Sequence, residues 1–339
     1  MNATQFHQIT DRYSRLSIAI LGDFCLDRYL EIDPALAERS IETGQSVFNV
    51  VRVRAQPGGA GTVLNNLVAL GIGEIIPLGF AGDDGEGFEL VRAMQKMPGV
   101  RMDRFLQTPL RRTFTYCKPL VVEPGKPPRE LNRLDSKNWT PTPVEVERQL
   151  IAALGAESER IDALVIMDQV DQAGTGALTA GVLEAVGAIA GDRPQLWILA
   201  DSRRGLHGYP AVCWKMNRAE LGKLCQGAPP ADLEQAKHAA LELARRNGRE
   251  VFVTLAEEGM LAAAPDGRVY HSKALPIRGE IDIVGAGDSV TANLAAALAG
   301  GASPEKSLAL ASAAASVVIH QLGTTGTASV QQIAETLCL

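Results

Sequence analysis

Five short apolar runs punctuate the chain, and each carries a polar residue at or near its end. SIAILGD ends at Asp23, ALVIMD at Asp168, LWILAD at Asp201 and VCWKMN at Asn217, while VFVTL carries Thr254. Bounded runs of this length, rich in β-branched or aromatic residues, predict buried parallel strands. Between and around them lie segments with helical spacing: TVLNNLVALG, PVEVERQLIAALG, GALTAGVLEAVGAIAG and LEQAKHAALELARRNG. The last two close on a glycine, which predicts a helix stop. The alternation predicts an α/β fold: a doubly wound, mostly parallel sheet flanked by helices. In such a sheet the strands end along one edge, and ligands bind there. One Asp at a strand end reads as a helix cap; the same habit in five strands reads as a site.

Two segments break the pattern. Residues 28 to 57 and 111 to 135 hold strand-like pieces and turn residues without helical periodicity. They predict a small β layer inserted into one domain spanning 1–339, either a lid over the ligand edge or surface hairpins. The Ala/Ser-rich stretch SLALASAAASVVIHQLG predicts a helix that packs closely on its neighbours.

Composition narrows the function. The formal net charge of -6, with no basic run, argues against nucleic-acid or anionic-membrane binding as the default. No apolar run reaches transmembrane length and no leader is expected. Five scattered cysteines make no C-x-x-C pair, so neither a disulfide framework nor a zinc site is indicated, and a reducing cytoplasm is the expected location.

The stretch DIVGAGDSV, 282–290, carries the most specific chemistry. Small residues let a backbone approach a ligand, and the first N–H groups of a helix are unpaired and electropositive. A GAG loop entering a helix is therefore an anion hole. Asp288 at its mouth would repel an anion, unless the reaction needs both donors for a phosphate and a proton acceptor for the attacking hydroxyl, as phosphoryl transfer does. The helix end would keep Asp288 ionised. On physics alone, a glycine turn with a capping Asp accounts for the same residues.

DIVGAGDSV resembles the C-terminal signature of the ribokinase-like (PfkB) carbohydrate kinases. GDFCLD, PGGAGTVLNNLVALG, GFAGDDGEG, NRAE and VTLAEEGM resemble further motifs of that family, in the same order along nearly the whole chain. The resemblance implies a ribokinase-like fold with a small β lid and an ATP-dependent sugar kinase. It implies that Asp288 is the catalytic base and that Gly285, Ala286 and Gly287 form the anion hole. Thr254 and Gly259 would lie near ATP, and Asn217 and Glu220 would organise the nucleotide phosphates, with Glu220 reaching Mg2+ through water. Asp27, Gly58 and Gly59 would meet the sugar. Asp282 would lie near a monovalent cation such as K+. GDFCLDRY, PGGAG, NRLD and GTTGTASV are similar to the heptose-7-phosphate kinase branch, whose members phosphorylate an anomeric hydroxyl.

The acceptor side departs from that branch. Thr62 stands for an Asn, Gln169 for a Tyr, and Arg203 for the Lys of a D-P-K motif. Tyr116 and Lys118 alter the lid arm, Val284 replaces a Thr and Ala256 a nucleotide-side Gly. Thr62, Lys118, Arg133, Asp168 and Arg203 are assigned to the acceptor, with the Arg residues suited to a phosphate on it. The substrates implied are a small sugar and ATP, with neither nucleic acid nor membrane as partner, and pairing through the lids would make a homodimer. A kinase for a ketohexose, a keto-deoxy sugar acid or a nucleoside remains open, as does a non-catalytic sugar or nucleotide sensor.

Overall fold

Eight strands form the main sheet of the computed structural model, which describes residues 1–339. Their order is Val269–Ser272, Met260–Ala263, Val251–Thr254, Cys213–Asn217, Trp197–Ser202, Ala163–Asp168, Ser17–Gly22 and Glu74–Leu78. The six from Val251–Thr254 to Glu74–Leu78 run parallel, and the other two join antiparallel. The five expected strands are the middle of this sheet. The three unexpected ones lie at its margins: two short runs, Met260–Ala263 and Val269–Ser272, and Glu74–Leu78, which holds a proline. Glu74–Leu78 carries Pro77, which an edge strand tolerates because one side needs no donor.

Apolar cores cover both faces. Helices Ala60–Ala69, Ala286–Ala299 and Pro304–Val318 lie on one face; Val144–Glu157, Ala180–Asp192 and Leu233–Asn247 lie on the other. The alanines of Ala286–Ala299 and Pro304–Val318 are buried against each other, since a methyl side chain lets two helices approach closely. Gly248 stops its helix in the left-handed region, φ +72°, as expected. Gly191 does not: it lies inside Ala180–Asp192, and the helix begins only after Thr179, which caps the Val182 N–H. No helix is long and apolar enough to cross a membrane.

A second sheet has the order Arg129–Glu130, Phe114–Val121, Phe24–Ile32, Val50–Gly59, with Leu134–Ser136 also paired to Phe114–Val121. The chain enters it straight from Ser17–Gly22 through one residue, Asp23. The second sheet therefore springs from the edge at which the parallel strands end. Asp23 fixes this junction. Its N–H donates to the Met167 carbonyl and its own carbonyl accepts from Ala60, each at 3.0 Å. Its carboxylate accepts the N–H groups of Gln169 (2.9 Å) and Ala177 (2.7 Å). Burial, and then the charge of Asp168, push its carboxyl above the usual range.

Candidate active site

Helix Ala286–Ala299 begins at the loop singled out by the sequence. Gly285 is its N-cap at φ +81°, a conformation that strains any residue with a Cβ. Asp282 holds the approach: one carboxylate oxygen accepts the Val284 N–H (3.0 Å) and the other the Gly323 N–H (3.3 Å). Asp282 is thus a brace between two loops. The Ala286 N–H turns back to the Ile283 carbonyl at 3.2 Å. The first-turn donors without a partner are those of Gly287 and Asp288, and the Gly285 N–H just ahead of them is likewise unpaired.

Two carboxylates near this turn have no hydrogen-bond or ion-pair partner: Asp288 in the first turn and Asp27 in the second sheet. Asp27 is only 6% exposed. An unpaired buried carboxylate is costly, so its retention points to a ligand that supplies hydrogen-bond donors. Burial pushes Asp27 above the usual carboxylate range, against the pull of Lys118 and Arg133. Asp288 opens on the cleft but is otherwise enclosed by protein. Burial, then the charge of Asp201, raises its carboxyl to about 7, with Lys215 opposing. The sequence expectation is that the helix end keeps Asp288 ionised; burial and Asp201 work against that. Asp27 and Arg203 both lie within electrostatic reach of Asp288.

Gly58 sits across the strand pair from Cys25, against Asp27. A Cβ there would lie 2.6 Å from an Asp27 carboxylate oxygen. Gly59, at φ +58°, leaves no room either, since its Cβ would meet the Asp23 carbonyl at 2.6 Å. Gly58→Ala is expected to turn the Asp27 carboxylate away and raise the acceptor KM by roughly tenfold or more, the cost of one charge-assisted hydrogen bond. Mg-ATP affinity, read by isothermal titration, stays put; an unchanged acceptor KM would separate Asp27 from the sugar.

Other residues assigned to the acceptor divide. Asp168 does not face the cleft. It is fully buried, and one of its oxygens accepts from Arg204 (2.6 Å), the Tyr209 hydroxyl (2.7 Å) and the Ser202 hydroxyl (3.0 Å). Through Oδ2 it braces residues 202–209, while its Oδ1 is buried without a hydrogen-bond partner. Thr62 is likewise buried, in the first turn of helix Ala60–Ala69. Lys118, Arg133 and Arg203 do gather on the acceptor side. Lys118 lies over the Tyr29 ring, 4.9 Å from its centroid, and Arg133 over Tyr116 at 4.7 Å. Arg133 also pairs with Asp135, whereas the nearest carboxylate to Arg203, that of Asp171, is 3.9 Å away.

A separate cleft of about 680 Å³ opens beside the anion hole. Asn217, Thr254, Gly259, Ala286 and Gly287 all line it, together with an apolar wall that includes Ile283. Gly259 is required, because a Cβ would lie 2.1 Å from the Ser272 carbonyl. Ala256 takes φ +52° where the family motif has Gly, a strained conformation for a residue with a Cβ. Asn217 and Glu220 form a capping box: the Asn217 side chain accepts the Glu220 N–H at 2.9 Å, and Glu220 accepts the Asn217 N–H at 2.7 Å. Burial raises the Glu220 carboxyl, partly offset by that bond. One Glu220 oxygen is left over. No cluster of three acidic, His or Cys groups could cage a metal. The set suits a Mg2+ that enters on nucleotide phosphates and keeps most of its waters.

A family model described as pfkB family carbohydrate kinase matches residues 24–331. The chain belongs to this family. Its members are phosphotransferases that act on a sugar hydroxyl. The chain is 33% identical over 308 residues to a bifunctional protein HldE of Azorhizobium caulinodans, covering 91% of this chain and 61% of that protein. It is 30% identical over 329 residues to the bifunctional protein HldE of Trichlorobacter lovleyi, covering 96% and 63%. The chain thus spans about three-fifths of the length of these relatives. Among solved structures, Escherichia coli phosphofructokinase-2 in complex with potassium gives a TM-score of 0.70 at 19% identity, covering 95% of this chain and 98% of that one. Arabidopsis thaliana ribokinase complexed with ribose and ATP gives 0.68 at 16%, covering 96% and 99%. At these identities the likeness is one of fold.

This pfkB chain also brings to the site residues that the sequence did not single out. Lys215 is buried beneath Gly287 and paired with Asp201. Its one visible signal was a Lys inside the apolar run VCWKMN. Gln56 of the second sheet reaches Thr325, which packs on Gly285. No local pattern could have joined residues 269 positions apart.

Proposed function

We propose that this pfkB chain is an ATP-dependent sugar kinase, 1–339 acting as one domain, in which Asp288 is the general base and Asp27 holds the acceptor. The observation that carries the reading is the pair of unpartnered carboxylates, Asp27 and Asp288, beside a helix N-terminus with free donors. The acceptor hydroxyl gives its proton to Asp288 while its oxygen bonds to the γ-phosphorus. The bond from phosphorus to the bridging oxygen breaks, and ADP departs. The N–H groups of Gly287 and Asp288 meet the charge on the transferring group. ATP occupies the cleft lined by Thr254 and Gly259. Asn217 and Glu220 would orient the water shell of a Mg2+ brought in by the nucleotide, which would offset phosphate charge. A potassium ion beside the hole would rest on loop carbonyls, since both Asp282 oxygens already accept N–H groups.

The second sheet acts as a lid, and the Gln56–Thr325 contact ties it to the anion-hole loop. Exposed Ile41, Phe48, Val51 and Val53 on that sheet and its hairpin support a homodimer paired through the lids. Five free thiols suit a reducing cytoplasm.

The acceptor in this reading carries an anionic group, with heptose 7-phosphate as the first candidate. Lys118, Arg133 and Lys137 lie over Tyr29 and Tyr116, and Arg203, whose side chain is 52% exposed, is near Tyr116 and pairs only loosely with Asp171. ADP release from Mg-ATP, measured against heptose 7-phosphate, a ketohexose and its phosphate, a keto-deoxy sugar acid and a nucleoside, tests this. Turnover should be fastest with an anionic acceptor. Turnover confined to neutral sugars would refute the anionic subsite, and ATP binding without turnover on any acceptor would refute the kinase in favour of a sensor.

A further inference from the structure

Lys215 has no part in the mechanism above, yet it lies directly under it. In strand Cys213–Asn217 it shares a face with Cys213, turned toward the core that contains helix Ala286–Ala299. It is 6% exposed. Its ammonium donates to Asp201 Oδ2 at 2.6 Å. The same oxygen accepts the Thr291 hydroxyl at 3.1 Å, and that hydroxyl is also 3.1 Å from the Gly287 carbonyl. A Cβ on Gly287 would find the Lys215 Nζ 3.2 Å away, and beyond its own helix no other atom within 4 Å. The ammonium therefore forms the floor of the turn that contains Asp288. Only one of its three N–H groups is used within the protein.

We propose that Lys215, locked by Asp201 and Thr291, is a positioning residue for Asp288: a fixed cation under the helix turn that carries the base. Thr291 ties the turn's backbone to Asp201, and Asp201 aims the ammonium. The pair then sets how readily Asp288 holds its proton. Burial alone would drive Lys215 toward the neutral amine, but Asp201, Asp288 and Glu220 outweigh burial and keep it charged.

Other charges around Asp288 are few. Asp27 stands on the second sheet, with Cys25 beside it, and Arg203 follows the Trp197–Ser202 strand. Asp168 ends the neighbouring strand, with its carboxylate committed to Arg204 and Tyr209. Helix Ala60–Ala69 has no charged side chain, and Glu305 and Lys306 of helix Pro304–Val318 stand beside the opposite end of Ala286–Ala299. Lys215 and Arg203 are thus the cations felt at the base, and only Lys215 is fixed from beneath.

The inference bears on the proposed reaction, but its test needs neither sugar nor nucleotide. Protein labelled with 13C at the Asp carboxyl carbons is titrated by NMR, and the resonance absent from Asp288→Asn identifies Asp288. In the unaltered protein the midpoint should fall near 7. Lys215→Met should raise it by about half a pH unit or more, Asp201→Asn should lower it, and Lys215→Arg should restore it. Lys215→Met strands the Asp201 carboxylate, so the double variant Lys215→Met/Asp201→Asn, which buries no charge, serves where the single one unfolds. Its midpoint should lie above that of Asp201→Asn, because the two variants differ only in the lysine. A purely structural lysine would lower the melting temperature and leave the midpoint still. A double-variant midpoint within about 0.2 units of that of Asp201→Asn would overturn the proposal, because Lys215 would then contribute nothing. A wrong acceptor, or no kinase activity at all, would leave these titrations untouched, so the two failures stay distinct.

Discussion

Asp288→Asn should lower turnover by a factor of about 10²–10⁴, the usual contribution of a positioned general base. Affinity for Mg-ATP should change by less than about twofold, because the interaction removed is made only with the reacting hydroxyl. Asparagine keeps the size of the side chain and the free N–H groups of the turn, so the anion hole survives. The same argument gives a pH profile. The base must be ionised, and burial together with Asp201 raises its carboxyl to about 7. The kcat/KM of the unaltered enzyme should therefore fall about tenfold per pH unit below 7 and level off above it. Steady-state kinetics from pH 5.5 to 9 reads both effects. Full turnover in the variant, or a flat profile down to pH 5.5, would remove Asp288 from the role of base.

Asp168→Ala should act on stability and leave acceptor recognition alone. The carboxylate is fully buried and takes one guanidinium and two hydroxyls on a single oxygen. Removing it leaves Arg204, Tyr209 and Ser202 without their common partner. Breaking a buried ion pair by deleting one member costs roughly 3–5 kcal/mol, enough to lower the melting temperature by several degrees. The segment 204–209 would loosen first, because Arg204 and Tyr209 lose their side-chain partner, while the backbone bond from the Arg203 N–H to the Asp168 carbonyl remains. Urea denaturation and a thermal scan measure the loss, and the acceptor KM of the residual folded enzyme should stay near its original value. Unchanged stability with a raised acceptor KM would return Asp168 to the sugar site.

The contrast between these two aspartates shows how far sequence reading reaches. Asp288 was legible because its chemistry is local: a glycine loop, a helix start and a carboxylate within seven residues, 282–288. Asp168 looked similar, a carboxylate at the end of an apolar strand. Its partners come from residues 34 to 41 positions later, which no local pattern reveals. Asp27 was found by resemblance, but only the fold shows that its carboxylate is buried and unpaired.

By itself the sequence determined the order of elements. Apolar runs flanked by polar ends dictate strands, 3.6-residue spacing dictates helices, and strict alternation dictates a parallel sheet with its ligand edge at the strand ends. It also determined the anion-hole turn, because Gly285 must adopt a left-handed φ that side chains resist. The tertiary structure alone decided which carboxylates are spent and which are free. It decided that the free N–H groups of the turn are those of Gly285, Gly287 and Asp288, that Thr62 is buried, and that Lys215 lies beneath Gly287. The reason is physical: hydrogen bonding, burial and charge are set by neighbours in space, and at this edge those neighbours come from strands and loops far apart along the chain.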